Sequence, residues 1–192
     1  MTGRLEEALT VYQKAELLNA NHSWTIKKLA HLHRILKNPK DALVYYKKAE
    51  QLNPNNLSIQ LSIGHCYLEL NEYEQALKHY FKVEYLTGNK EKAWRPIAWA
   101  SFRMRKYRQA AEYFNKLIET EPDSTDYLNA GHVQLASGHT KEAIHLYQLS
   151  FTTSKQSQEE FADIFANDIP DLVEAGVKPE NIPFVLDCVF YN

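Results

Sequence analysis

The sequence predicts an all-α solenoid: pairs of antiparallel helices repeated along the chain and sealed by further helices at the C-terminus. Three observations predict it. Alanines recur at Ala8, Ala42, Ala76, Ala110 and Ala143, spaced by 34, 34, 34 and 33 residues. An aromatic residue follows each by four positions, at Tyr12, Tyr46, Tyr80, Phe114 and Tyr147. Pro54, Gly88 and Pro122 follow three of the alanines by twelve, with Ala20 at that place in the first unit. A fixed period of this length marks one supersecondary unit stacked on copies of itself.

Each position in the unit has a physical task. Offsets of four and seven from the alanine lie on one helical face, and the seventh place holds Ala15, Ala49, Val83, Leu117 and Ser150. The small residue admits a neighbouring helix, the aromatic fills the space beside it, and the Pro or Gly ends the helix. Twelve residues upstream of the alanines stand Ala30, Gly64, Ala98 and Gly131, each after a small or apolar residue, which marks a second helix meeting the first. Short turns join the two helices at Leu36-Lys37-Asn38-Pro39, Leu70-Asn71-Glu72, Arg105-Lys106 and Ser137-Gly138-His139.

These signals divide the chain in order. Residues 1–22 form a partial first unit with only its second helix, Gly3-x-x-Glu6-Glu7-Ala8 being its turn and start. Residues 23–56, 57–90, 91–123 and 124–156 are four full units, and 157–192 are capping helices. A lone second helix leaves an apolar face without its usual partner, so the chain is expected to be a piece of a longer protein with units before Met1. Pro96 lies within the first helix of the 91–123 unit, which therefore starts late or kinks. In the cap, Phe161, Ile164 and Phe165 fall at helical spacing. Asp168-Ile169-Pro170 and Asn181-Ile182-Pro183 both suit a helix N-cap with proline in the first turn, so a break is expected near 168. Gly176 ends the helix begun there, and residues 182–191 carry Phe184, Val185, Leu186, Val189 and Phe190.

The motifs Ile63-Gly64-x-x-Tyr67, Ala76-x-x-x-Tyr80 and Ala42-x-x-x-Tyr46-x-x-Ala49-x-x-x-x-Pro54 resemble the tetratricopeptide repeat family over residues 3 to about 153. Gly88 departs from the closing proline, and the tryptophan place is filled by tryptophan only at Trp94. The resemblance implies a right-handed superhelix whose first helices line a concave groove, and a non-catalytic role in protein–protein interaction, as a scaffold or adaptor or as a chaperone-like peptide holder. Its inward positions are the second, fifth, ninth and twelfth of each first helix. Here these are Trp24, Ser58, Lys92 and Thr125; Lys27, Leu61, Arg95 and Leu128; His31, His65, Trp99 and His132; Arg34, Leu68, Phe102 and Leu135. No carboxylate stands among them, although the chain's formal charge is -2. The candidate groove residues are Trp24, Lys27, His31, Arg34, His65, Lys92, Arg95, Trp99, Phe102 and His132, a basic and aromatic surface suited to an extended acidic or aromatic-containing peptide. A chaperone-tail clamp of the family type is not expected: Lys27 and Lys92 match it, whereas His31, Ser62 and Pro96 do not.

Other functions find less support. The charge of -2 and pI near 6.4 argue against a nucleic-acid partner. No apolar run reaches the roughly 18 residues of a membrane span. Cys66 and Cys188 form no disulfide framework or zinc motif, and fit a reducing, cytoplasmic setting. No cofactor is implied, since neither a Gly-rich phosphate loop nor a Gly-x-Ser-x-Gly motif occurs. His31, His65 and His132 form a column, but equivalent side chains on neighbouring packed helices stand on the order of 10 Å apart. Zinc needs ligands at about 2 Å, so an enzyme using these histidines is the remotest reading. Self-association as a homodimer through the cap and the N-terminal half unit is the main rival to peptide binding.

Overall fold

The structure, a computed structural model, describes residues 2–88 and 91–191, without the side chains of Thr2 and Glu91. Every regular element among them is helical. In order they are α1 (Thr2–Leu18), α2 (Ser23–Ile35), α3 (Pro39–Leu52), α4 (Leu57–Glu69), α5 (Tyr73–Thr87), α6 (Trp94–Arg103), α7 (Tyr107–Ile118), α8 (Ser124–Ala136), α9 (Thr140–Ser154), α10 (Gln158–Glu174) and α11 (Ile182–Tyr191). Single 3-10 turns occupy Glu91–Ala93 and Pro179–Asn181. The chain divides into two units, Met1–Ala93 and Trp94–Asn192. In the first, α2 pairs with α3 and α4 with α5; in the second, α6 pairs with α7 and α8 with α9.

The repeated small and aromatic residues are the core. Ala42, Ala76, Ala110 and Ala143 are fully buried, as are Tyr80 and Tyr147, while Tyr46 and Phe114 are nearly so. Their counterparts in α1, Ala8, Tyr12 and Ala15, are only half-buried, and Val11, Leu17 and Leu18 are exposed.

In the α4–α5 and α8–α9 pairs the aromatic sits directly on the glycine of the facing helix. A Cβ placed on Gly64 would come within 2.4 Å of Tyr80 Cε1, and one on Gly131 within 2.4 Å of Tyr147 Cε1. Glycine there lets each ring sink to full burial and its hydroxyl reach a histidine next to the glycine. Tyr80 bonds His65 Nδ1 and Tyr147 bonds His132 Nδ1, both at 2.9 Å.

The turns inside the pairs also repeat. Lys37, Asn71, Arg105 and Gly138 all have positive φ, at 61°, 60°, 57° and 83°. After each, the next amide reaches back five residues: Asn38 to His33, Glu72 to Tyr67, Lys106 to Ser101 and His139 to Gln134. This is the Schellman closure, which usually takes glycine at the left-handed position. Three of the four turns accept a non-glycine residue there, which accounts for the weak turn signal in the sequence.

Pro96 and Pro183 fall in first turns, where the missing donor does least harm, whereas Pro170 lies inside a helix. α6 begins after the turn at Glu91–Ala93, so Pro96 stands in its first turn, where amides lack intrahelical partners. Of the two expected outcomes, the late start is the one found. The break expected at Asp168-Ile169-Pro170 does not occur. α10 starts earlier, from a capping box in which Ser157 and Glu160 bond each other's amides, and runs through Pro170. Phe161, Phe165 and Leu172 form one buried stripe on it, and stopping the helix would divide that stripe. Asp168 does not cap, because its carboxylate accepts from His132 Nε2 at 3.1 Å. Gly176 then ends the helix at φ 102°, and Pro183 lies in the first turn of α11, both as expected.

Gly64→Ala should destabilise the chain by roughly 1–3 kcal/mol, the usual range for overpacking a filled site. Urea denaturation measures it, and a loss of the Tyr80–His65 bond should show as a shifted histidine ring signal.

Candidate functional site

The candidate site residues fall in both units and meet different fates. In the first unit, Trp24 stands at the start of α2 and is 52% exposed. Its ring meets Tyr12 edge-on at 5.4 Å, and the Lys28 ammonium lies 5.4 Å from its centroid. Lys27 is half-buried and His31 exposed one turn further along. Together with Lys28, Tyr46, Ser58, Ile59 and Ser62 they line a hollow of about 250 Å3 between α2 and α4. Neither lysine has a carboxylate partner among the described residues. The periodic register selects Lys27 and not Lys28 as an inward position, yet both line the hollow.

Two other candidates of this unit are engaged. Arg34 Nη1 donates to Glu69 Oε1 at 3.3 Å, across a gap open to solvent on both sides. His65 is tied to Tyr80. Burial lowers its pKa, the Arg34 charge lowers it further, and Glu69 opposes both. The Tyr80 hydroxyl is pushed far above its ordinary range by burial, so it stays protonated and shares a hydrogen bond with the imidazole. His31 is lowered too, by burial and then by Arg34 and Lys28. Lys92 is exposed in the turn that closes this unit.

In the second unit Arg95 is clamped. Its Nε and Nη2 donate to the two oxygens of Asp126 at 2.6 and 2.7 Å, and Asp123 lies 3.3 Å from Nη2. Asp126 is 1% exposed and also closes the capping box of α8. Trp99 is half-buried against Phe102, with ring centroids 5.4 Å apart. Phe102 and His132 lie in the core at 2% and 1% exposure, so neither is open lining. The reason is α10. It places Phe165 edge-on to both His132 and Tyr147, at 5.3 and 5.0 Å, and Asp168 on His132 Nε2. Further along, Asp171 accepts from Arg103 at 2.6 Å. The Glu174 and Ala175 carbonyls accept from Arg105 at 2.6 Å and from the Tyr107 hydroxyl at 2.7 Å.

The carboxylates absent from the sixteen inward positions thus arrive from elsewhere: Glu69 from the end of α4, Asp126 from the first turn of α8, and Asp168 and Asp171 from the cap. No sequence period ties them to the groove. A second buried network also lay outside the sequence reading. The Gln60 amide is fully buried, donates to Glu50 and to the Pro54 carbonyl at 2.7 Å each, and accepts from His79 Nδ1 at 2.7 Å.

The histidines do not converge on a metal. His65 and His132 have separate tyrosine partners, and no group of three or more His, Cys, Asp or Glu could hold an ion among the described residues. Cys66 is buried and its thiol is pushed up to about 11 by burial, which suits packing. Among those same residues no helix is long and apolar enough to cross a membrane.

The comparisons agree with this repeat geometry. A family model described as tetratricopeptide repeat matches residues 97–124, the α6–α7 pair. That match and the helical-repeat fold support a tetratricopeptide-type solenoid. A second model, regulator of microtubule dynamics protein 1-3, matches residues 20–95. Among solved structures, MamA aligns with a TM-score of 0.73 and 19% identity, over 80% of this chain and 90% of its own. A tetratricopeptide repeat protein from Parabacteroides merdae aligns with 0.71 and 20%, over 97% and 78%. pilF of Pseudomonas aeruginosa aligns with 0.66 and 21%, over 91% and 82%. At these identities the likeness is one of fold. No curated protein matches significantly in sequence.

Burial holds His65 and His79 below the ordinary histidine value of 6.5. The unfolded chain therefore takes up these protons at higher pH than the folded one. Their contribution to stability is complete above 6.5 and declines as pH falls from 6.5 through the lower folded values. An NMR titration of the ring resonances should find both midpoints below 6.5, and midpoints at or above it would refute the neutral Tyr80–His65 pair.

Proposed function

We propose that this tetratricopeptide-type solenoid is a non-catalytic scaffold or adaptor that holds an extended acidic segment with aromatic side chains in its first unit. One observation carries the reading. The hollow between α2 and α4 combines an exposed tryptophan with Lys27 and Lys28, two cations that no described carboxylate neutralises. An aromatic anchor beside uncompensated charge is the composition of an interaction hot spot with electrostatic steering. Ser58 and Ser62 line the same hollow and supply hydroxyls to a peptide backbone. Arg34 and Arg95 contribute less than their charges suggest, because acidic neighbours already meet them. We place the protein in the cytoplasm, where its two unbridged cysteines persist as thiols.

The double variant Lys27→Glu/Lys28→Glu should weaken capture of a fluorescein-labelled Asp/Glu- and Phe-rich peptide by at least ~10-fold, equal to ~1.4 kcal/mol. Circular dichroism and melting temperature should stay as in the parent chain, because both side chains reach solvent. Affinity that survives both reversals rules this site out.

Self-association is a second reading, favoured by exposed apolar side chains at both ends of the sequence. Leu17 and Leu18 of α1 are 88% and 90% exposed, and Phe184 and Tyr191 of α11 are 62% and 74% exposed. Light scattering should then detect concentration-dependent dimers that Leu17→Ser/Leu18→Ser or Phe184→Ser removes. A monomer at all concentrations ends this alternative.

A further inference from the structure

α10 differs from α8, the helix it crosses. Of its seventeen residues only Phe161, Phe165 and Leu172 are buried, whereas α8 buries seven of thirteen; α9 buries three of fifteen. It carries six carboxylates and neither lysine nor arginine. Its contacts also reach further than those of a helix that merely continues the stack. Such a helix would meet α8 and α9. α10 begins beside α9, where Phe161 packs on Phe151, passes over His132 of α8, and ends on Arg103, Arg105 and Tyr107 around the α6–α7 turn. It therefore crosses the face of α8 that presents His132, the face of the family's inward positions.

That face matches α10 in chemistry. At its centre are apolar groups, Leu128, Leu135 and Phe102, with the His132 ring; at its rim Arg103 meets Asp171 and Glu174. The complementary stripe on α10 is Phe161, Phe165, Asp168 and Leu172, at i, i+4, i+7 and i+11, one line along a helix. An apolar centre with a charged rim is how a groove receives an amphipathic helix.

We infer that the inner face of the second unit is a receptor for an acidic amphipathic helix, and that α10 is its resident, displaceable ligand. A partner helix with two aromatic residues four apart, followed by carboxylates on the same stripe, takes the place of α10. The segment is built for release. Lys155, in the left-handed conformation at φ 58°, and Gly176, at φ 102°, flank it as pivots. α11 has contacts of its own to α9, through Phe190 on Phe151 and Gln148 Nε2 on the Cys188 carbonyl, while Phe190 also meets Phe161 of α10 edge-on at 6.0 Å. This inference rests on the reading of the chain as an interaction module but uses none of the residues of the first unit's hollow.

The test uses the full chain and a labelled synthetic peptide of residues 158–174. In Asp168→Lys/Asp171→Lys the resident helix is repelled by Arg103 while the receptor face is intact, so this variant should bind the peptide ~10-fold or more tightly than the parent chain. Equal binding overturns the inference. Adding Arg103→Glu should abolish the gain. If the gain persists there but is lost with Lys27→Glu/Lys28→Glu, the peptide sits in the first unit: the receptor assignment fails while the proposed function stands. A separate measurement needs no variant. In native-state hydrogen exchange of the parent chain, α10 amides should exchange through an opening that leaves α8 and α9 protected, and exchange of all three together overturns displaceability.

Discussion

The close contact between a small residue on one helix and an aromatic ring on its partner sets the rest of this structure. Gly64 under Tyr80 and Gly131 under Tyr147 have no room for even a methyl group, and Ala30 and Ala98 hold the same place in the other two pairs. Glycine inside a helix costs about 1 kcal/mol relative to alanine. A fully buried tyrosine ring offsets this, since burying a large side chain is worth about 1.5–3 kcal/mol. The hydroxyl would be a liability at such depth, because a buried polar group without a partner costs about 1–3 kcal/mol. His65 and His132 remove it, and the sequence Gly-His followed by Tyr fifteen residues after the histidine appears as one device used twice. With the axes this close, the Schellman turn must reverse the chain within a few residues, which is why left-handed residues recur at 37, 71, 105 and 138.

The alternation of glycine and alanine pairs also distributes polarity. Where alanine faces Phe114, no hydroxyl needs a partner, and the ninth position of α6 holds Trp99 instead of histidine. The histidine column expected along a groove is therefore better read as the hydrogen-bonding complement of a buried tyrosine. His31 lies outside that device, exposed at the hollow beside Trp24. Chemistry that looks like one functional motif in sequence separates into a structural task at two positions and a surface task at a third.

Periodicity made the fold readable and the site only partly so. The alanines and aromatics carry the signal because their burial is repeated by a nearly constant period, and the half-exposed state of Ala8, Tyr12 and Ala15 follows from the same logic. Side chains that act across the period leave no such trace. Arg95 reads as a groove cation until Asp126, thirty-one residues later, clamps it from the first turn of α8. Asp168 and Pro170 read as a helix start by every local rule, yet the requirement that Phe165 and Leu172 share one buried stripe overrides them. Lys28 falls outside the ideal inward register and still reaches the hollow. Local propensity is a weak prior when a tertiary contact of several side chains opposes it.

A ligand carried on its own chain also changes what binding strength means for the second unit. The tether between α9 and α10 is three residues long, so α10 faces its receptor at an effective concentration in the millimolar range. A partner at micromolar concentration must then bind the open face about a thousandfold more tightly than α10 does, or meet an α10 whose own affinity is low. The structure favours the second condition. Three buried side chains anchor α10, and Pro170 removes one backbone hydrogen bond from its interior. The ion pairs at its C-terminal end are also partly exposed, and therefore weak and screened by salt. Each feature lowers the threshold that a competing helix must pass. A cap serving only to seal the last repeat would gain from the opposite choices: a continuous apolar stripe, no proline, and carboxylates turned to water.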